Sequence, residues 1–581
     1  MALGNKMTIS YSLDGFAALA IENGDPMRAA RLCGAAEALR ESIGYKIEAA
    51  EKVFRDAYLA KLQTLLSESD LARGLYRGHA TPPEKAVMVA FKEYQIQPEE
   101  DSGIAKTGFS TTLSGTGPGA TSIAVLPFAH LSSAPDDEYF CDGLAEELIN
   151  AMAKIEDLKV AARTSAFSFK GKNTNVSEIG RVLNVRNILE GSVRKSGNRL
   201  RITVQLINAS DGYHIWSERY DRELEDIFDI QDEITVSVVD ALKSKLLGKG
   251  GDQLLAALVE DLKHYTSDVE AYQLYLHGRF FLNKFTTENS YKAIEYFNQA
   301  IEIDSGYALA YAGLADAYIM LTEMGPVAPT DAMPTAKQMA MKALELDPDL
   351  PEAHASMCMI LQDYDYDFVG AEREARIAIE LNPNSSVARQ AYGVVLTKLE
   401  RHAEAKTQFT RALEIDPLSV VCNWVYSFCL FLAGQPDDAI SQASRALELD
   451  PGFGAAHLTL AFAYQMKGDH ARSVEEYARS SEVMGFKENA EFIRESFKGG
   501  WEGFLRAMTL QEKNRPMTFS SYIIAVLSAA LGDIEGALRE LEVSFLKRES
   551  HLTMLKVDPR FEAFHDDPRF NELLDRIGFP K

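Results

Sequence analysis

The sequence predicts a multidomain, mainly helical protein: an α-solenoid of repeated helix pairs, preceded by one central α+β domain. Three observations carry this. Four proline-ended tails recur at a nearly fixed spacing in the second half of the chain. Residues 122–250 instead hold short β-branched runs with period-two alternation. Between residues 96 and 121 large apolar side chains all but vanish. At 581 residues the chain is too long for one hydrophobic core.

The first stretch, "YSLDGFAALAIENGDPMRAARLCGAAEALRESIGYKI", reads as helix, turn, helix. Gly24 is placed to cap the first helix, and Pro26 suits the first turn of the second. Residues 1–95 resemble the end of the tetratricopeptide-like arrays of large bacterial ATPase regulators. The resemblance implies a remnant of a longer array.

Residues 96–121 follow, rich in Gly, Ser, Thr and Pro, which is linker composition. Within them "SGTGPGATS" invites a phosphate-loop reading. Such a loop needs a Lys, and it must follow a strand and open a helix. This run has no Lys, Pro118 removes an amide, and it precedes its strand. A hinge is expected.

In the central domain, 122–250, "SIAVLPF" and "DLKVAAR" read as buried strands. "DDEYFCDGLAEELINAMAKI" reads as a helix with Phe140, Leu144, Leu148 and Met152 on one face. "VSEIGRVLNV" is a short helix. Three strands follow, with turns at Ser196–Asn198 and Ser210–Gly212. Leu200, Ile202, Val204 and Leu206 alternate with Arg199, Arg201, Thr203 and Gln205, giving one apolar and one polar face. A closing helix carries Ile227, Ile230, Ile234, Val238 and Leu242. The order is βαβαβββα. Blocks such as "DEYFCDGLAEELINAMAKI", "AARTSAFSFKGK" and "LNVRNILEGSVRKSGNRLRITVQLINASDGYHIWSERYDR" resemble the TolB amino-terminal-like (FlgO-like) domain. In the proteins it resembles, tetratricopeptide repeats follow, as in the C-terminal parts of bacterial class III adenylate cyclase-type and winged-helix regulators. The resemblance implies an interaction module.

From 266 to 547 the repeat dominates. The tails "LELDP", "IELNP", "LEIDP" and "LELDP" place prolines at 348, 383, 417 and 451. A period near 34 is the signature of tetratricopeptide repeats. Small residues keep register: Ala336, Ala371, Ala405 and Ala439, then Ala343, Ala378, Ala412 and Ala446. The first helices carry Ala315, Gly393 and Ala461. About seven repeats are expected, with an insertion at "MGPVAPTDAMPT" and a weaker pattern over 485–517. Residues 548–581 would cap the array.

Chemistry is thin. Five cysteines form no CxxC pair, so buried thiols are expected. His402 and His470 stand at turns, and the Asp pairs at 136–137, 437–438 and 566–567 suit helix starts. No catalytic residue, metal site or cofactor is expected. With 60 basic and 85 acidic residues the net charge is −25, which repels nucleic acid and anionic lipid. The most apolar run, "VVCNWVYSFCLFLAG", is too short and too interrupted for a membrane span. The expected location is cytoplasmic.

The expected function is a non-catalytic bacterial scaffold that binds a protein or peptide partner. The alternative is an adenylate cyclase-related signalling protein without a visible catalytic domain. Carried over from the repeat family, the groove-facing positions are Val421, Trp424, Phe428 and Phe431. The next repeat gives Ala455, Leu458 and Phe462, and the preceding one Val387, Gln390, Val394 and Thr397. The expected groove is apolar and aromatic.

Overall fold

The computed structural model describes residues 26–43, 49–67 and scattered positions between 10 and 79 of the N-terminal piece, then 121–131, 138–155, 158–172, 174–246, 265–323, 327–514 and 520–580. Gly24, the run from 96 to 120 and Asp136–Asp137 lie outside the described residues. The chain divides into two compact units, Met1–Leu113 and Ser114–Lys581.

The first unit contains α1 (Pro26–Ile43) and α2 (Ala49–Leu65). Pro26 opens α1, where its missing N–H needs no partner. Leu32, Cys33, Leu39, Tyr58 and Leu62 are among its core residues. Asp14 is buried, and it accepts from Arg40 and from the Tyr58 hydroxyl, both at 2.5 Å.

The second unit opens with a mixed sheet. Its strands are β1 (Thr121–Val125), β2 (Ala129–His130), β3 (Leu158–Val160), β4 (Asn187–Ser196), β5 (Arg199–Asn208) and β6 (His214–Glu223). The order is β3-β1-β4-β5-β6, with β2 added on β4. β1 runs parallel to β3 and β4, and β4, β5 and β6 are antiparallel. Gly197, at φ 60°, takes the first central position of the β4–β5 turn, the role that a type II′ hairpin reserves for glycine. The register Ser196↔Arg199 follows from that two-residue turn. Leu200, Ile202, Val204 and Leu206 are all buried on one face.

Helices α3 (Glu138–Ala153) and α6 (Ile227–Leu246) cover that face, and their stripes Phe140–Met152 and Ile227–Leu242 are buried. Two short helices, α4 (Arg163–Phe167) and α5 (Val176–Val182), complete the region. Ile179 of α5 and Leu183 just after it pack with Ala124, Ile188 and Ala209 in a second, smaller cluster.

The helix pairs of the array are α7 (Val269–Leu282) with α8 (Thr287–Ile303), α9 (Ala308–Glu323) with α10 (Pro329–Leu346), α11 (Pro351–Ile360) with α12 (Phe368–Leu381), and α13 (Ser386–Lys398) with α14 (His402–Ile415). Then come α15 (Val420–Leu432) with α16 (Pro436–Leu449), α17 (Gly454–Met466) with α18 (His470–Val483), α19 (Lys487–Ser496) with α20 (Gly500–Asn514), and α21 (Ser520–Ala530) with α22 (Ile534–Leu546). Two differences from the expected pattern have physical reasons. The expected insertion mostly lengthens α10, because Pro329 starts the helix and only Pro334 interrupts its bonding. The α19–α20 pair sits where the pattern weakens, since Trp501 and Phe504 stack there in place of small residues. After α22, two 3-10 turns (Ser550–Met554 and Pro559–Phe564) lead to α23 (Pro568–Ile577).

Why the pairs pack is visible in their volumes. Gly278 faces Phe297, and a Cβ there would sit 2.4 Å from the ring. Gly393 faces Phe409 in the same way, at 2.7 Å. Where the first helix carries Cys358 or Ser427, the matching position of the second is Ala375 or Ala443, all buried. Two repeats fill this position with a phenylalanine packed on a glycine, and two bring small residues of both helices together instead.

A polar rung repeats as well. His354 bonds Glu374 at 2.6 Å, Arg389 bonds Gln408 at 3.2 Å, Asn423 bonds Gln442 at 2.6 Å, and His457 bonds Glu476 at 2.6 Å. Each rung ties the first helix of a pair to its second at one fixed register, so residue types drift while the hydrogen bond persists.

Candidate interaction surface

The tails that mark the repeat are helix ends. Asp347, Asn382 and Asp450 each follow the last helical residue and accept the N–H two positions on, at 3.2, 3.1 and 2.8 Å. These are Asx turns that start the next helix. Asp416 departs from the pattern. Its carboxylate accepts from the Ser165 N–H at 3.0 Å and the Ser165 hydroxyl at 2.5 Å. Helix α4 has Ala162 at its N-cap and no side-chain cap of its own. An array residue about 250 positions away supplies that cap instead. Ser165 Oγ in turn accepts from the Leu418 N–H at 2.9 Å, and Ala162 N–H donates to Ile415 O at 3.0 Å. One repeat earlier, the Asn384 amide donates to the carbonyls of Ala153 and Leu158.

A buried ionic cluster joins the same two regions. Glu146 of α3 pairs with Arg279 of α7 and with Arg163 of α4, each at 2.8 Å. Burial alone would raise its carboxyl, but the two guanidiniums outweigh burial and hold it below the usual range. Glu147, one residue on, has no ion-pair partner among the described residues. Burial and the neighbouring Glu146 and Glu352 push it up to about 8. Burial also pushes Asp416 up to about 6, against the hydrogen bonds from Ser165, Thr164 and Ser419. The apolar core is continuous across this seam: Ile202, Val204 and Ile234 belong to one cluster with Tyr275, Phe297 and Leu350.

The expected groove residues fall into two sets. Val421, Trp424, Phe428, Leu458 and Phe462 are half-buried, as are Gln390, Val394 and Ala455, while Val387 is exposed. Trp424 meets Phe453 edge to face at 5.7 Å. Phe431 is buried at 1% exposure, and Thr397 is buried too. For Phe431 the cause is the C-terminal segment. Arg560 lies over Phe431 and Phe462, its guanidinium carbon 5.4 and 4.8 Å from their ring centres. Val557 and Met554 pack in the same cluster. Asp558, itself buried, pairs with Arg560 at 2.5 Å and accepts from the Tyr522 hydroxyl at 2.7 Å. The segment is fixed at its other side as well. Arg548 donates to Tyr364 O at 2.7 Å, Lys556 pairs with Glu400 at 2.7 Å, and Phe579 stacks on Phe368 at 4.7 Å. The phenylalanine row therefore runs beneath the chain's own C-terminal segment at its Phe431–Phe462 end and stays partly open at its Val387–Trp424–Leu458 end.

Other expectations concern chemistry. All five cysteines are free and buried. His402 and His470 open α14 and α18, and His470 stacks on Trp501 at 4.2 Å. Asp567 caps α23, and Asp437 in the first turn of α16 pairs with Lys467. Among the described residues no cluster of His, Cys, Asp or Glu is arranged to hold a metal ion, and no helix is long and apolar enough to cross a membrane.

Residues 119–237 match the family described as HilA/YgeH-like transcriptional regulator, second domain. Residues 388–417 and 430–483 match tetratricopeptide repeat families. The chain is 38% identical over 249 residues to a Rhizobium meliloti (strain 1021) protein named "Putative adenylate cyclase 3", covering 42% of this chain and 40% of that protein. It is 22% identical over 213 residues to the transcriptional regulator HilA of Salmonella paratyphi A (strain ATCC 9150 / SARB42), covering 35% of each. The chain thus spans well under half the length of these relatives. Among solved structures, YrrB, titled a TPR protein with an unusual peptide-binding site, is 22% identical, with a TM-score of 0.24 over 34% of this chain and 97% of that one. Human IFIT1 is 16% identical, with a TM-score of 0.35 over 56% and 86%. The second half is a tetratricopeptide-type solenoid, and residues 119–237 before it are similar to the second domain of HilA/YgeH-like regulators.

Proposed function

We propose that the chain is a non-catalytic bacterial scaffold in the cytoplasm. In this reading a protein or peptide partner lies along the open end of the first-helix row, on Val387, Val421, Trp424 and Leu458. The TolB-like character of residues 122–250 belongs to the same proposal, as a module that braces one edge of the array. One observation carries it: within a single row, Trp424 keeps exposed surface while Phe431 is sealed by residues 554–560. A half-exposed tryptophan beside a fully packed aromatic cluster is the usual make-up of a binding hot spot. The row holds no Lys or Arg, which suits apolar or aromatic partner residues. Phe428 and Phe462 then support the site from below.

The test uses the full chain as bait, wild type against Trp424→Ala, with quantitative recovery of bound protein from a bacterial lysate. Recovery should fall while the melting temperature moves little. Unchanged recovery overturns the groove reading. A cyclase-related role is favoured by the name of the 38% identical relative. Magnesium-dependent turnover of ATP by the purified chain would establish it in place of the scaffold, and specific retention of duplex DNA would point to a HilA-like role.

A further inference from the structure

We propose that the cleft between α5 and the paired ends of β4 and β5 binds a small, multiply charged oxyanion. The cleft measures about 490 Å³ and is lined by Ser177, Gly180, Arg181, Val185, Arg186, Asn187, Asn208, Ala209 and Ser210. That volume suits a small molecule. Its lining inverts the character of the chain. A protein with net charge −25 here presents two guanidiniums and no carboxylate.

Both arginines are exposed, and neither guanidinium has a carboxylate partner among the described residues. In the same region Arg163 is engaged by Glu146, and Arg201 and Arg219 by Asp221, whereas Arg181 and Arg186 meet in one cleft. Two planar forks lining one cleft beside the hydroxyl-bearing Ser177 and Ser210 suit the chemistry of phosphoryl and carboxylate groups.

The walls are held in place. Gly180 lies so close to the β5 end that a Cβ would meet that of Ala209 at 2.4 Å. The Ala209 N–H donates to Arg186 O at 2.8 Å, and the Arg186 N–H donates to Ser122 Oγ at 3.0 Å. Asn208 accepts from the Ser210 N–H and hydroxyl at 2.9 and 2.7 Å, and the Asn187 amide donates to Ser122 O at 3.0 Å. The two asparagines thus spend hydrogen bonds on the frame, which leaves the guanidiniums and the Ser177 hydroxyl to face a ligand. Val185 and Ala209 belong to the cluster against which Leu418 of the array packs, so the cleft adjoins the sheet–array seam.

The test is calorimetry on the full chain with pyrophosphate and with citrate, which separates a phosphoryl from a carboxylate source. Binding of either is expected in wild type, weakened at least tenfold in Arg181→Gln/Arg186→Gln. Ser177→Glu, which puts a carboxylate in the cleft, should weaken it as well. Arg194→Gln, on the exposed face of β4 outside the cleft, should bind as wild type does. Absence of binding by both anions, or equal affinity in the double arginine variant, overturns the proposal.

Discussion

The array is sealed along two seams of different make-up. Against the sheet region the contacts beyond the shared core are polar: the Glu146–Arg279–Arg163 cluster, the Asp416 cap on α4 and the Asn384 amide. Against the C-terminal segment they are mainly apolar, with the Lys556–Glu400 pair and the Arg548–Tyr364 bond beside them. Tyr366 and Phe368 share one cluster with Leu552, Phe561, Phe564, Phe570 and Ile577. The difference matters because the two kinds of contact respond to different perturbations. Apolar burial gives stability in proportion to area and ignores pH. Buried polar contacts add little net stability when satisfied, yet cost several kcal/mol when one member is removed. The first seam fixes register and can titrate. The second gives cohesion.

The largest effect should come from the apolar seam. Phe561 is fully buried. Phe561→Ala should cost about 3–5 kcal/mol in denaturant unfolding, as truncations of buried aromatics do. A cost below about 1 kcal/mol would mean that the segment is loosely seated. Next is the ionic cluster. Arg279→Met leaves Glu146 with Arg163 alone in a buried site, and a loss of about 3 kcal/mol is expected. If Arg279→Met and Glu146→Gln together restore stability, the cluster provides register and not net cohesion.

The third prediction is a pH profile. The folded Asp416 carboxyl, pushed up to about 6, lies above its ordinary value near 3.8. The folded state therefore binds its proton more tightly. The associated stability is full below pH 3.8, is lost as pH rises through 6, and changes no further above that. The free-energy difference between wild type and Asp416→Asn should shift by about 2–3 kcal/mol in favour of the variant between pH 4 and pH 7. Comparison with the variant cancels Glu147 and other groups that titrate nearby. A flat difference would show that Asp416 is solvated or paired. The smallest effect belongs to Trp424→Ala, within about 1 kcal/mol of wild type, because its ring is only half-buried. A loss comparable to that of Phe561→Ala would place Trp424 in the core and end its candidacy as an anchor.

Much of this fold is legible in the chain itself. Period and small-residue register locate the helix pairs, since both follow from contacts between sequence neighbours. Alternation along β5 gives the buried face of the sheet for the same reason. What escapes is nonlocal. "LEIDP" looks like its sister tails, and nothing within it reveals that Asp416 caps a helix built from residues 163–167. The groove positions follow from family register, but the cover over Phe431 comes from Arg560, whose own surroundings in sequence are ordinary. The cleft draws Arg181 and Arg186 together with Asn208 and Ser210 from opposite sides of a hairpin. No local pattern announces that meeting. The polar rungs could have been found, because His354, Arg389, Asn423 and His457 share one register and are each polar inside an apolar helix.

The seating of Phe579 on Phe368 and of Phe545 against Tyr366 has a consequence for how this solenoid can vary. An open array tolerates gain or loss of a unit, because each repeat meets only its neighbours. Here the span from Tyr366 to Tyr522 is a closed circuit. Adding or deleting one 34-residue unit within it would rotate and displace the far end, so Arg560 would no longer find Phe431 and Phe462 below it. Repeat number inside the circuit is thereby fixed in the way that strand number is fixed in a closed barrel. The pairs from Arg279 to Asp416 are spanned in turn by the sheet region, through Glu146 and Ser165, so their number is held as well.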